Sequence, residues 1–201
     1  MKNRLGLLFV LIFSSLAGIK AQDADSIPKP SPVKIYRSLS AALANPDSVF
    51  RLDLSRQKLK EIPSGVFSLK NLYELNVSRN KLKEIPPAIG NLTKLKILNA
   101  SNNRLTHLPP EIGLLDSLKV LELNRNLIVA IPPQAGKLLN LERLELWDNE
   151  IDSIPDEIKN LTNLKVLELR GILFTDEEQF RIQKLLPDCR IYFSPACLCA
   201  E

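Results

Sequence analysis

The chain has 201 residues, 45% of them hydrophobic and 25% charged, which is enough to bury one good core and small appendages. Its formal net charge is +4, from 27 basic and 23 acidic residues. Three basic residues, Lys2, Arg4 and Lys20, lie in an N-terminal segment that we expect to be removed, which leaves a net charge of +1. This near neutrality gives no electrostatic reason to expect nucleic acid or an anionic membrane as a partner.

The first stretch, "MKNRLGLLFVLIFSSLAGIKA", predicts a signal peptide over residues 1–21. Its basic start precedes an apolar run over residues 5–17, which is shorter than the roughly 20 residues of a membrane-spanning helix. We expect cleavage between Ala21 and Gln22, after which nothing would insert into a membrane; an uncleaved N-terminal anchor is the alternative. Export implies an extracytoplasmic location, whether secreted, periplasmic or on the cell surface.

Two short segments follow the predicted signal peptide. Residues 22–34 include "SIPKPSPVK" and predict a proline-rich linker that has no core of its own. Residues 35–48 predict an N-terminal cap built on a short helix, from about Tyr36 to Ala44. That helix is expected to end at Asn45, because the next residue is Pro46.

From Val49 onward the sequence repeats itself every 23 residues, in five full lines and a degenerating sixth. Two of the lines read "LYELNVSRNKLKEIPPAIGNLTK" and "LKILNASNNRLTHLPPEIGLLDS". In each line "LxxLxL" alternates as a short strand does, so its later leucines point to one side. A proline then forbids a regular helix, which predicts extended chain or a 3₁₀ turn. Each line is closed by an inward-pointing leucine: Leu69, Leu92, Leu115, Leu138 and Leu161.

A recurring asparagine follows four of the five full strands where the chain must turn, and Gln57 replaces it in the first line. An amide both donates and accepts hydrogen bonds, so it can satisfy the turn backbone of its own line and of the adjacent line. We therefore predict a ladder of side-chain hydrogen bonds from Asn80, Asn103, Asn126 and Asn149.

This pattern, L-x-x-L-x-L-x-x-N-x-L followed by I-P-x-x-I-G-x-L, resembles the leucine-rich repeat family. The I-P-x-x-I-G form is similar to its Ras-suppressor-like class of 23-residue repeats, here as a small exported protein of bacterial type. The resemblance covers residues 49–171 and implies an α/β fold, namely a right-handed solenoid with a parallel β-sheet on its concave face. No single repeat can bury its own leucines, so both ends need caps.

Residues 172–201 predict the C-terminal cap. Thr175 and Glu178 have capping-box spacing at the start of a helix, and "CRIYF" predicts a final strand added to the sheet. In an exported protein, the cysteines of this region predict one disulfide, from Cys189 to Cys197 or Cys199. The third thiol is then free or pairs with another chain.

The residues expected to face solvent from the concave sheet are the third, fifth, seventh and eighth of each line. Glu122, Glu145 and Glu168 form a row of like charges about 4.8 Å apart, which Arg125, Arg143 and Arg170 can neutralise. Calcium is disfavoured, because parallel carboxylates supply too few oxygens. The third-position residues Ile97, Val120 and Val166 add apolar area that the fold does not require.

Trp147, the chain's single tryptophan, occupies a seventh position on this face. Either Arg170 stacks on its ring, or the indole anchors a partner. The predicted partner-binding residues are Trp147, Arg143, Arg170, Glu122, Glu145, Glu168, Ile97 and Val120.

The sequence contains no nucleophile motif, no phosphate-binding glycine loop and no metal-ligand spacing, so it predicts a protein that is not an enzyme and has no cofactor. Family resemblance implies protein–protein interaction. The favoured hypothesis is an exported, monomeric module that binds a protein or peptide on its concave face. The alternative is a passive scaffold in the envelope or on the cell surface, held through the C-terminal cysteines. A disulfide-linked dimer would be one form of this scaffold.

Overall fold

The computed structural model describes residues 34–194 of the chain. The chain divides into Met1–Pro30 and Ser31–Glu201, and all described residues belong to the second unit. The predicted signal peptide, all but the last residue of the predicted linker, and Cys197 and Cys199 lie outside them. Between residues 34 and 194, no helix is both long enough and apolar enough to cross a membrane.

Eight strands form a single parallel sheet in which each strand pairs with the next one along the chain. From β2 to β7, paired residues are 23 positions apart, so that Leu52 pairs with Leu75 and Leu75 with Leu98. This register confirms the predicted α/β solenoid. The strands are β1 Ile35–Tyr36, β2 Arg51–Asp53, β3 Glu74–Asn76, β4 Ile97–Asn99, β5 Val120–Glu122, β6 Arg143–Glu145, β7 Val166–Glu168 and β8 Arg190–Tyr192.

Five-residue 3₁₀ segments form the convex side, and each begins just after the predicted proline. The leucine that follows each segment is at most 1% exposed, as its predicted inward orientation requires. Neighbouring segments approach closely because glycine occupies the contact. A Cβ atom added at Gly113 would lie 2.3 Å from the carbonyl oxygen of Gln134, and one at Gly136 would lie 2.4 Å from that of Glu157. The segments are Ser64–Ser68, Pro87–Asn91, Pro110–Leu114, Pro133–Lys137 and Asp156–Asn160.

The predicted asparagine ladder is confirmed, and Asn126 illustrates it. Its Nδ2 donates to the carbonyl oxygens of Leu123 (2.8 Å) and Ala100 (3.2 Å), and its Oδ1 accepts from the backbone N–H of Leu105 (3.1 Å). One side chain therefore links the turn of its own coil to two points of the preceding coil. Asn80, Asn103 and Asn149 make equivalent bonds.

The N-terminal cap has a shorter helix than the sequence predicted. Helix α1 spans Leu39–Leu43 and begins after Ser38, whose side chain accepts from the N–H of Ala41. The prediction of helix from Tyr36 was wrong, because Tyr36 belongs to β1 and pairs with Leu52 of β2. The open edge of β2 offers unpaired backbone groups to an added strand, and an N-cap serine fixes where the helix starts.

The C-terminal cap combines helix α2, Asp176–Leu185, with strand β8, as predicted. Thr175 caps the helix, since its Oγ1 accepts from the N–H of Glu178 at 3.2 Å. In a capping box, the glutamate side chain would also accept from the backbone N–H of the capping residue. Here that bond is replaced by contacts to the last full repeat. The Glu178 carboxylate accepts from the N–H of Ile154 (3.1 Å) and from Nε of Arg181 (2.7 Å), which ties α2 to the solenoid.

The ladder predicts that Asn126→Ala lowers the free energy of unfolding by about 3 kcal/mol or more. The substitution leaves the N–H of Leu105 and two carbonyls without their partner, and each unsatisfied buried group costs about 1–3 kcal/mol. Urea unfolding followed by circular dichroism measures the change. The control is Asn91→Ala, an exposed asparagine for which we expect a change within about 0.5 kcal/mol. Equal losses in the two variants would contradict the ladder's role.

Candidate functional site

An open groove of about 500 Å³ lies on the concave face, where the strands end. Its lining comes from the fifth, seventh and eighth positions of successive repeats, three of the four positions predicted to face solvent. We call it the concave groove. It is lined by Ser55, Arg56, Asn76, Ser78, Arg79, Asn99, Ser101, Asn102, Glu122, Asn124 and Trp147.

The eighth position of each repeat adopts a left-handed backbone conformation. Among those that line the groove, φ is 58° at Arg56, 57° at Arg79 and 56° at Asn102. Asparagine tolerates this region well, whereas an arginine there costs about 1 kcal/mol or more. Arg56 and Arg79 are both exposed, so the fold obtains no core packing from them.

Trp147 lies at one end of the groove and is partly exposed. The guanidinium carbon of Arg125 lies 4.6 Å from the centre of its ring, in cation–π geometry. The Nε of Arg125 is also 3.6 Å from Oδ2 of Asp148, which holds the guanidinium in place. The ring face is therefore supported from within the protein.

Arg170 does not stack on Trp147, so the first of the two alternatives for this tryptophan was wrong. Its guanidinium makes two 2.7 Å hydrogen bonds to the Glu168 carboxylate and lies 5.6 Å from the ring centre of Tyr192. Strand β8 explains the difference, because its register sets Tyr192 directly beside Glu168. The C-terminal cap thus supplies Arg170 with an aromatic partner.

The row of glutamates is neutralised unevenly. Glu145 accepts from Nδ2 of Asn124 at 2.7 Å and lies 3.7 Å from Arg143, as expected for that arginine. Arg170 neutralises Glu168 in the same way. Arg125 was expected to contribute to this row and instead pairs with Asp148.

Glu122 begins the acidic row and lies in the floor of the groove. In the sheet register it stands between Asn99, whose Nδ2 donates to its carboxylate, and Glu145. Burial raises the pKa of Glu122 from its ordinary 4.5 to about 7; the charge of Glu145 adds to this shift and Arg143 opposes it. The charge of the groove floor therefore changes near neutral pH.

The third-position apolar residues are less accessible than predicted. Ile97 is partly exposed, but Val120 is only 5% and Val166 only 6% exposed, so the expectation of solvent-facing apolar area was wrong for both valines. Arg143 stands between the two valines in the register. A long side chain on a neighbouring strand leaves a short one little access to solvent.

The sequence analysis missed several polar groups of the groove. Arg56 and Arg79 were not singled out, although their eighth positions were expected to face solvent. In the floor, Ser101 Oγ and Asn124 Oδ1 are buried and have no hydrogen-bond partner among the described residues. The groove therefore offers two exposed guanidinium groups to whatever binds there.

Among residues 34–194, the Cys189 thiol and the potential metal-ligating side chains add little to the chemistry of this site. Cys189 is partly buried, and burial raises the pKa of its thiol to about 11, which makes it a poor nucleophile at neutral pH. Its two predicted disulfide partners lie outside the described residues. Within residues 34–194, no group of three or more His, Cys, Asp or Glu side chains is arranged to hold a metal ion.

Glu122 predicts a specific dependence of stability on pH. Between its ordinary pKa and about 7, the folded protein binds more protons at this site than the unfolded chain, so its contribution to stability falls as pH rises. Glu122→Gln removes that loss. Between about pH 5 and pH 8, the free energy of unfolding of the variant should rise relative to that of wild type by on the order of 1–3 kcal/mol.

Urea unfolding of both proteins at each pH measures this difference, in which pH effects common to the two cancel. The matched control is Glu157→Gln, at an exposed carboxylate on the convex side. A difference between Glu122→Gln and wild type that stays constant over this pH range would show that Glu122 titrates normally.

Three solved structures show how widely the fold recurs. A leucine-rich repeat protein of Leptospira interrogans is 28% identical, with a TM-score of 0.54 over 80% of this chain and 58% of that one. The plant peptide hormone receptor RGFR1, in complex with RGF2, is 27% identical, with a TM-score of 0.65 over 81% and 26%. The ectodomain of GASSHO1/SCHENGEN3, a membrane receptor kinase from Arabidopsis thaliana in complex with CASPARIAN STRIP INTEGRITY FACTOR 2, is 31% identical, with a TM-score of 0.58 over 65% and 16%.

The present chain spans 58% or less of the length of each of these proteins. No curated protein matches its sequence. Two family models do match: one described as a leucine-rich repeat, over residues 48–105, and one described as a leucine-rich repeat region, over residues 88–186. With the 23-residue register of its sheet, these matches show that the chain belongs to the leucine-rich repeat family.

Proposed function

We propose that this protein is an exported binding module that recognises a protein or peptide through the concave groove. Leucine-rich repeat domains are in general protein-interaction modules rather than enzymes. Two of the similar proteins are plant receptors solved with RGF2 and with CASPARIAN STRIP INTEGRITY FACTOR 2. The shared fold alone does not assign a ligand, so the proposal depends on the groove itself.

Trp147 carries the proposal. A partly exposed tryptophan at the end of a polar groove is the type of residue that dominates protein interfaces, and Arg125 already holds its ring. A side chain that is ordered before binding loses less entropy when a partner docks.

The groove narrows the set of residues that we propose to contact the partner. Trp147 and Glu122 line it directly, and Arg143 and Glu145 lie beside it in the register. Ile97 and Arg170 remain proposed contacts at its margins, and Arg170 is already paired with Glu168. Glu168 was predicted to face solvent, but it is only 7% exposed and is therefore excluded. Val120 is excluded because it is buried.

Export is the second part of the proposal, and the predicted signal peptide over residues 1–21 supports it. Because we expect cleavage after Ala21, protein recovered from the envelope or medium of the native host should begin at Gln22. Intact mass and N-terminal sequencing measure this directly. Recovery of protein that still begins at Met1 would support the uncleaved anchor instead.

The anchor role predicts that Trp147→Ala weakens partner binding by at least about 2 kcal/mol, or about 30-fold, while leaving the fold intact. The first step is capture of partners from the host's envelope and medium by the immobilised wild-type protein. Affinity for a captured partner is then measured with both proteins. Capture of no partner, together with a covalent dimer that Cys199→Ser abolishes, would favour the scaffold instead.

A matched control is Phe180→Ala. Phe180 is also an aromatic with a cation over its ring, since Lys184 Nζ lies 4.3 Å from its centre, but it is on α2 rather than in the groove. We expect it to bind as wild type does. Equal binding by Trp147→Ala and wild type would remove Trp147 from the interface.

A further inference from the structure

Seven exposed cations lie along one edge of the concave groove, in the first three repeats. They occupy the eighth, tenth and twelfth positions of the first two repeats and the tenth position of the third. We call them the basic strip, which comprises Arg56, Lys58, Lys60, Arg79, Lys81, Lys83 and Arg104.

Backbone hydrogen bonds between successive coils hold the strip in register. The N–H of Arg56 donates to the carbonyl oxygen of Ser78 at 3.1 Å, that of Lys81 to Leu59 at 2.7 Å, and that of Arg104 to Leu82 at 2.8 Å. Because the coils stack this closely, the backbones of equivalent residues lie about 5 Å apart. Each cation therefore has another at the same position of an adjacent coil.

The strip lacks internal compensation. Within residues 34–194, none of its seven side chains forms an ion pair. Like charges opposite each other in neighbouring coils repel, so the arrangement destabilises the unbound protein. An acidic ligand would remove that repulsion.

The same edge changes sign further along the solenoid. In the fifth repeat, the eighth, tenth and twelfth positions are Asp148, Glu150 and Asp152, all exposed. A long, uniformly charged polyanion such as nucleic acid would meet repulsion there. A peptide can instead carry acidic residues at one end only, and the amide and hydroxyl groups of the groove suit a peptide backbone.

We propose that the partner contributes an extended peptide segment that places acidic residues over Arg56 and Arg79 and an apolar or aromatic side chain against Trp147. This rests on the proposed function, since it assigns a ligand chemistry to the same groove. Arg56 and Arg79 belong both to the basic strip and to the groove lining, which connects the two features.

The repeat spacing fixes the length of the segment. Arg79 lies three coils from Trp147 and Arg56 lies four, which is about 14 Å and 19 Å at roughly 4.8 Å per strand. An extended peptide advances about 3.3 Å per residue. The acidic residues are therefore expected about four to six positions from the apolar one.

Labelled synthetic peptides test this on the full chain. Each carries three aspartates and one leucine, separated by a variable number of serines, and a second series replaces aspartate with lysine. We expect affinity to be highest when the charged and apolar residues are about four to six positions apart. The lysine series should bind at least about tenfold more weakly, and added salt should weaken binding of the aspartate series.

A charge-matched pair of variants locates the binding. Arg56→Glu with Arg79→Glu reverses the groove cations, whereas Lys137→Glu with Lys159→Glu makes the same change in net charge on the convex 3₁₀ segments. We expect at least a tenfold loss of affinity for the aspartate peptides in the first variant and little change in the second. Because the first reversal removes repulsion, its thermal midpoint should not fall below that of wild type.

Three outcomes would overturn this inference: no aspartate peptide binds, both double variants lose affinity equally, or polyphosphate displaces the peptides and spacing has no effect. The proposed function is tested separately with the captured partner. If Trp147→Ala abolishes its binding and reversal of Arg56 and Arg79 does not, the acidic segment is wrong and the groove remains the site. If neither change matters, both proposals fail.

Discussion

Hydrogen bonding between successive coils, 23 residues apart, is the constraint on which this structure depends. Asn126 shows why the register cannot slip, because its amide binds its own turn and two points of the preceding coil. A shift by one residue would also turn the buried leucines of every strand outward. With the register fixed, each repeat position becomes a straight column, and a column's residues are neighbours in space although 23 apart in sequence.

Because each repeat position forms a column, small sequence differences between repeats become changes of side-chain type and charge along the surface. The fifth position changes from Asn76 and Asn99 to Glu122 and Glu145, and the eighth changes from Arg79 to Asp148. The groove lies across these changes. Glu122 is the first of three consecutive glutamates in its column, so it has an amide on one side and a like charge on the other. Its raised pKa follows first from its burial and then from the like charge of Glu145 beside it.

Features that recur in every repeat could be predicted from the sequence, and features that occur once could not. The strands, the 3₁₀ segments and the asparagine ladder each rest on four or more observations of the same pattern. The aromatic partner of Arg170, in contrast, occurs only once, and it depends on β8 placing Tyr192 beside Glu168. The burial of Val120 depends likewise on Arg143 in the next strand, a neighbour that the pattern of a single repeat does not contain.

The division between core and concave face explains why the groove can specialise. Nearly all apolar burial comes from the inward leucines and isoleucines of each coil, and stability accumulates through contacts between neighbouring coils. The concave positions are then free to carry residues that give the fold little, such as Trp147, or that oppose it, such as Arg79 with its left-handed backbone and like-charged neighbours. Such residues concentrate at one groove and one edge beside it, and this is the surface that we propose binds the partner.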